Sequence, residues 1–394
     1  MVGVAWMIDI LYEFLRAIGR LFLNPILYLA IFMAVMIGYK RVKNERRHFH
    51  IRILSGWADA KGLLLEGLII AVCISVLSLA IGLTVPMELL YVVTVVSFLG
   101  LLFYVFHLLS PIIYITLSVL ILMLMDWQNW SFNIIGFEFS GIVVEDALAV
   151  TITILVGLLL IAEGLLIRRK GAHYSSPRFE QTKRGLRAVS YYSKKVWVLP
   201  IFLIIPGDAI QSFLPYWPQF TFGSIEFSII LFPILIGYQQ MARKTLPIYL
   251  FPKLGRAVLI LGELVVIGGL VAYFVPIIGL VILFAGAVLR IVISVYYLLK
   301  ERKDVYAVSP KSKGVMIAAI LPVSPAQKMG LKAGEVICRV NGVEVHTKQE
   351  LYEALQINAA HCKLEVLDHK NELRLTQQVV YSKDHHQIGL IVAE

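Results

Sequence analysis

Long apolar runs fill the first three quarters of the chain and stop near residue 299. A bilayer core about 30 Å thick needs roughly 20 apolar residues in helical form. Candidate spans lie at 21–39, 63–85, 89–109, 111–125, 147–167, 197–214, 227–240, 257–275 and 277–298. The run 111–125 is short and opens on Pro111 with almost nothing between it and its neighbour, so the two form either a tight hairpin or one broken element. The pattern therefore predicts a polytopic α-helical membrane protein with eight or nine spans over 21–299. Before it, residues 5–20 (AWMIDILYEFLRAIGR) alternate apolar and charged positions at helical spacing, which predicts an interfacial amphipathic helix over 1–20. The first long run shows no small-residue cleavage site, so no cleavable signal is expected.

After a linker over 300–313 the periodicity changes, and 314–394 reads as a small soluble α+β domain. GVMIAAIL (314–321) is a short apolar strand, and PVSPAQKMGLKAGEVICRVNGVEV (322–345) follows it. Ser324 can cap a helix opening on Pro325, and Gly330 suits the left-handed position that ends one. Asn341-Gly342 between apolar strands is a strong turn signal. Thr347 and Glu350 form a capping box ahead of KQELYEALQ, and 363–381 reads as a hairpin turning at 369–372.

The chain has 394 residues, 59% apolar and 16% charged, with a mean hydropathy of +0.79. A soluble protein is nearer 45–50% apolar and about 25% charged. The net charge of +10 need not imply nucleic acid, because the basic residues cluster between apolar runs. Segment 40–52 carries six Lys or Arg, 168–196 carries nine, and 241–256 and 300–303 are also basic, so these are expected inside. Segment 126–146 has four acids and no Lys or Arg, and 215–226 also lacks them; both are expected outside, with Trp127, Trp130 and Trp217 at the interface. This makes 314–394 cytoplasmic. Nine spans would put the N-terminus outside and eight would put it inside, and the pattern leaves that parity open. The three cysteines fall in no CxxC or Cys/His set, which weakly favours a reducing compartment.

Charges inside apolar runs are functional candidates. If 257–275 and 277–298 turn near Pro276, Glu263 and Arg290 lie at matching depth and are expected to form an intramembrane ion pair. The pair is read first as a lock on the last hairpin and second as part of an ion path. Glu163 lies near the inner end of its run, within reach of the interface.

The residues Ser324-Pro325-Ala326, Gly330-Leu331, Gly334-Glu335, Val336-Ile337 and Asn341-Gly342 resemble the core of a bacterial PDZ domain, with Glu335 where Asp is more usual. The resemblance implies an extended peptide added as a strand between one strand and the longer helix, its carboxylate caught by backbone amides. That family's apolar–Gly–apolar loop finds its best match at the chain end, as in the circularly permuted bacterial type. Gln387, Ile388, Gly389, Leu390 and Ile391 are the expected peptide-binding loop and strand, with Leu351 and Leu355 on the opposite wall and Lys348 or Lys383 near the acid. Two other readings stand beside this one: 388–394 as a plain edge strand, and Tyr306–Val308 as the loop.

No catalytic, cofactor or metal site is expected. HFH (48–50) lacks the HExxH spacing, and no G-x-S-x-G, P-loop or GxGxxG occurs. His385-His386 has no nearby partner and reads as a solvated turn. A multi-span part with basic loops and one terminal PDZ domain resembles the MinJ-like family of division-topology membrane adaptors. That resemblance implies a scaffold at poles and septum that links a polar DivIVA-like protein to a MinD-like division inhibitor and contacts division-machine membrane proteins. The alternatives are a transporter or channel with a regulatory PDZ domain, and a non-catalytic partner of a membrane protease.

Overall fold

The computed structural model describes residues 2–134, 137–182, 185, 187–211, 226–302, 305–310, 313–358, 361–379 and 388–393. The first part begins with helices α1 (Val2–Leu23), α2 (Pro25–Phe49), α3 (Ala58–Leu65), α4 (Leu68–Ile81), α5 (Met87–Leu102) and α6 (Pro111–Trp127). A small antiparallel hairpin follows, β1 (Ser131–Ile134) and β2 (Phe137–Ser140), then α7 (Asp146–Lys170). Next come β3 (Ser176–Gln181), β4 (Arg187–Gln211), β5 (Glu226–Ala242), α8 (Pro247–Ala272) and α9 (Ile277–Glu301). Among the described residues, α2, the kinked α3–α4 element, α7, α8 and α9 are five helices long and apolar enough to cross a membrane, while α5 and α6 are apolar but shorter. Trp127 and Trp130 are exposed at the acidic end, and Trp217 lies outside the described residues.

The described part of the candidate span 197–214, residues 197–211, and the candidate span 227–240 are not helices. They lie in β4 and β5, paired antiparallel in continuous register from Tyr191–Ala242 to Pro206–Phe227. Their composition explains the difference. The runs are rich in Ile and Phe, and Pro200, Pro206 and Pro233 would each remove a helical hydrogen bond. A fully buried strand and a buried helix share the same unbroken apolar pattern.

An open hairpin among apolar helices leaves edge N–H and C=O groups that need partners. The surrounding helices and turns supply them. Ser75 Oγ on α4 accepts from Phe202 N at 3.0 Å, and Val85 N donates to Ile204 O at 2.8 Å. On the other strand, Gly237 N donates to Leu109 O at 2.8 Å, Tyr114 OH to Leu235 O at 3.0 Å, and Arg20 Nη1 to Ile229 O at 3.0 Å. The last contact ties α1 to β5, with Glu13 holding Arg20 at 2.9 Å. The strand side chains fill the core; Trp197, Leu199, Ile201 and Ile236 are wholly buried.

At the basic end, charges are buried in pairs. The α3–α4 break falls at Glu66-Gly67, where Glu66 accepts from Trp197 Nε1 at 2.8 Å and Tyr174 OH at 2.9 Å. Arg41 on α2 binds Asp59 at 2.8 Å and Glu45 at 3.4 Å. At the end of α9, one Glu301 oxygen accepts from the backbone N–H groups of Arg243, Lys244 and Thr245 at 2.8–3.0 Å, fixing the turn between β5 and α8.

Arg290 pairs with Glu163 and not with Glu263. Arg290 Nε donates to Glu163 Oε1 at 3.0 Å, and the other carboxylate oxygen accepts from Ser110 Oγ. All three groups are buried, whereas Glu263 points away on the exposed face of α8. Matching depth says nothing of azimuth: α8 and α9 pack directly on each other, but Glu263 faces outward from that contact while Arg290 turns to α7. The α7–α8 crossing is tight because glycines face the partner backbone; a Cβ on Gly164 would lie 2.6 Å from Leu259 N.

Removing one member strands a buried charge, which costs about 3–5 kcal/mol. Glu163→Leu and Arg290→Leu are each expected to lower the thermal midpoint in detergent, the double variant to recover part of the loss, and Glu263→Leu to change little. Equal loss from Glu263→Leu would contradict the pairing.

Candidate peptide-binding groove

The C-terminal unit contains β6 (Val315–Ile320), α10 (Pro325–Lys328), β7 (Val336–Val340), β8 (Val343–Glu344), α11 (Lys348–Ile357), β9 (His361–Leu367), β10 (Leu373–Val379) and β11 (Leu390–Val392). Local chemistry sets these elements. Ser324 Oγ accepts from Gln327 N at 3.3 Å to cap α10. Thr347 Oγ1 accepts from Glu350 N, and Glu350 reaches back to His346 N at 2.7 Å, closing the capping box. That backbone bond holds the Glu350 carboxyl below its usual range. Asn341 and Gly342 both take positive φ, as a two-residue primed turn requires.

The strands run β10-β9-β7-β6-β11, with β8 on β7. Side-chain alternation divides the sheet between two cores. Val315, Ile317, Leu390 and Val392 face α10 and α11 in the domain's own core. Met316, Ala318, Ile391 and Ala393 face the other way and join the core of the helical part. The domain is thus seated on the basic end of the long hairpin. Tyr191 OH on β4 donates to Ala318 O at 2.6 Å, Val189 N to Val308 O at 2.9 Å, and Ala307 N to Arg243 O at 2.7 Å. The segment 300–313, read as a linker, is held down at 307–308 by these bonds.

β11 is an edge strand. Gly389 O accepts from Leu321 N, and Ala393 N donates to Met316 O, both at 2.9 Å. Odd positions therefore face β6, and the period of two turns the N–H and C=O of Leu390 and Val392 to the edge that no further strand pairs among the described residues, although the strand itself is buried. Beside it lies a cavity of about 670 Å³, walled by Lys348, Gln349, Tyr352 and Gln356 of α11 and closed by Met316 and Ala393. A smaller space of about 170 Å³ brings Leu390, Ile391 and Val392 together with Lys348, Tyr352 and the His48–Ile51 segment at the end of α2. An edge beside a helix-walled cavity is the geometry that accepts an added strand.

The expected site residues divide. Lys348 lines both spaces, and Leu390 and Ile391 form the edge strand. Leu351 and Leu355 do not line the groove; they are buried in the domain core, because the apolar stripe of α11 turns inward. The helix face toward the groove is the next one round, and Tyr352 was missed. Its signal was its position one turn after Lys348. Ile388 is buried, with φ +48, and its carbonyl accepts from Ala326 N at 3.0 Å. Gly389 has φ +81, and a Cβ there would lie 2.2 Å from Ser324 Cβ, so glycine is required by packing as well as by backbone. Lys383 and Gln387 lie outside the described residues. Tyr306–Val308, the rival loop, lies on the hairpin: Val308 bridges Val189, and Tyr306 OH donates to Glu180 at 3.1 Å.

A left-handed conformation costs a residue with a Cβ about 1–2 kcal/mol, and the clash at Ser324 adds to this. Gly389→Ala is expected to raise amide exchange at Leu321 and Ala326, the donors to this loop, while Tyr352→Ala leaves both protected. Unchanged exchange in Gly389→Ala would contradict this account of the loop.

Comparison with known families agrees with this geometry. Residues 316–367 match the PDZ domain family. The chain is 32% identical over 382 residues to the cell division topological determinant MinJ of Bacillus subtilis (strain 168), covering 96% of this chain and 94% of that one. It is 23% identical over 391 residues to a probable cell division topological determinant MinJ of Lacticaseibacillus paracasei, covering 96% and 98%. A multi-helix membrane part with a PDZ domain seated on it, related along nearly its whole length to these proteins, belongs to the MinJ family of cell division topological determinants.

Proposed function

We propose that this protein is a non-catalytic, membrane-anchored adaptor for division-site selection. The β11 edge beside α11, paired by no further strand among the described residues, carries the reading, because it offers backbone pairing and a side-chain cavity to an extended segment of a partner. The basic ends of the helices face the cytoplasm and place the PDZ domain there, with eight or nine crossings in total. Two of those crossings are the long strands β4 and β5. The PDZ domain is of the circularly permuted type, its groove strand supplied by the chain end. Its partners are a DivIVA-like polar scaffold, a MinD-like inhibitor and membrane proteins of the division machine, met at poles and septum. Support for this comes from the relatives' name, cell division topological determinant.

The transporter reading is weaker. The buried acid Glu163 has both carboxylate oxygens engaged, by Arg290 and Ser110, which suits a lock better than a path.

A full-length fluorescent fusion is expected at poles and septa. Truncation after residue 302, or Tyr352→Asp in the groove wall, is expected to abolish co-purification of the MinD-like partner, while Glu263→Gln changes neither readout. An even membrane signal, with normal division in the deletion strain, would overturn the adaptor reading.

A further inference from the structure

A second cavity, apart from the groove, lies at the basic end of the helical part between α2, β3, β4 and the turn after α5. It measures about 200 Å³, room for several water-sized groups. Its walls carry Lys40 and Arg41 from α2, Arg178 from β3 and Lys194 from β4, with Tyr104, Tyr192 and Ser176 between them and no acid. Arg41 is already matched by Asp59 and Glu45. The other three cations have no carboxylate partner among the described residues. They rest on aromatic faces: Lys194 Nζ lies 3.0 Å from the Tyr104 ring centroid, Lys40 Nζ 4.4 Å from the same ring, and Arg178 Cζ 4.3 Å from the Tyr192 ring.

Ring faces steady a cation without satisfying its N–H donors. Arg178 Nε is buried with no hydrogen-bond partner, and so is Ser176 Oγ two residues earlier on the same strand. Lys194 is 7% exposed, and among the described residues its ammonium donates only to Tyr104 O, at 3.5 Å. Three cations around one small space, Lys194 buried, Arg178 half-buried and Lys40 exposed, repel one another and leave donors unmade, an arrangement stabilised by an anion with several acceptor oxygens. A guanidinium stacked on a ring presents its planar edge for bidentate bonding to such an anion.

We propose that this cavity binds a phosphate group through Arg178, Lys194, Lys40 and the Ser176 hydroxyl. The phosphate belongs either to the headgroup of an anionic phospholipid, since the cavity lies where basic helix ends meet a membrane surface, or to a soluble phosphate.

The test uses the purified full-length protein. In detergent, thermal midpoints are followed against inorganic phosphate at ionic strength matched with sodium chloride. The wild-type midpoint is expected to rise and saturate. Arg178→Gln and Lys194→Met are expected to lose that rise, and so is Lys40→Gln, whose side chain is exposed and whose loss leaves the fold intact. The titration is repeated in nanodiscs of phosphatidylglycerol and of phosphatidylcholine. A midpoint raised by phosphatidylglycerol in the wild type alone, with no further response to phosphate, assigns the site to lipid. A phosphate response that persists in phosphatidylglycerol assigns it to the soluble anion. No saturable response in any medium, or the same response in wild type and all three variants, would overturn the proposal.

Discussion

The fold depends on how the long hairpin's edges are satisfied. β4 and β5 run side by side through the helical core, and a strand edge surrounded by apolar helices has no water to turn to. Each unmet N–H or C=O there would cost on the order of 1–3 kcal/mol. The helices around it therefore do more than cover apolar surface. Ser75, Tyr114 and Arg20 bring side chains to the edges, and the backbones at Val85 and Leu109 bring amide and carbonyl groups. α1, read from sequence as a helix lying on the surface, is tied to β5 by Arg20.

The same hairpin links the two parts of the molecule. Its basic end continues as a strand past the helices, where β3 joins it, Val308 bridges Val189, and Tyr191 reaches the PDZ sheet. One face of that sheet packs on its own helices and the other on the hairpin. Ile391 and Leu390, adjacent in β11, belong to different cores for this reason. The groove strand is thereby fixed by both parts, and the His48–Ile51 segment of the helical part borders the groove.

Much of this was legible in the sequence because its signals are local. The caps at Ser324 and Thr347 and the turn at Asn341-Gly342 lie within a few residues of the groups they satisfy, so the PDZ architecture could be read from spacing. What failed was information carried across the fold. An apolar run of 14 to 18 residues is long enough for a helix and equally suits a strand buried on both faces, and only the many isoleucines and phenylalanines and the prolines at 200, 206 and 233 argued for the latter. Arg290 has two acids within reach of its depth, and only the packing of α7 selects Glu163. Leu351 and Leu355 look like groove walls because they are the apolar residues of α11, but apolar residues are what the domain core takes first.

The hairpin itself is most directly tested by solid-state NMR of the protein in lipid bilayers with valine and leucine labelled. Strand-like Cα shifts at Val196 and Val198, together with a cross-strand contact between Val198 and Leu235, are expected from their register. Helical shifts over 196–205 without that contact would contradict the account.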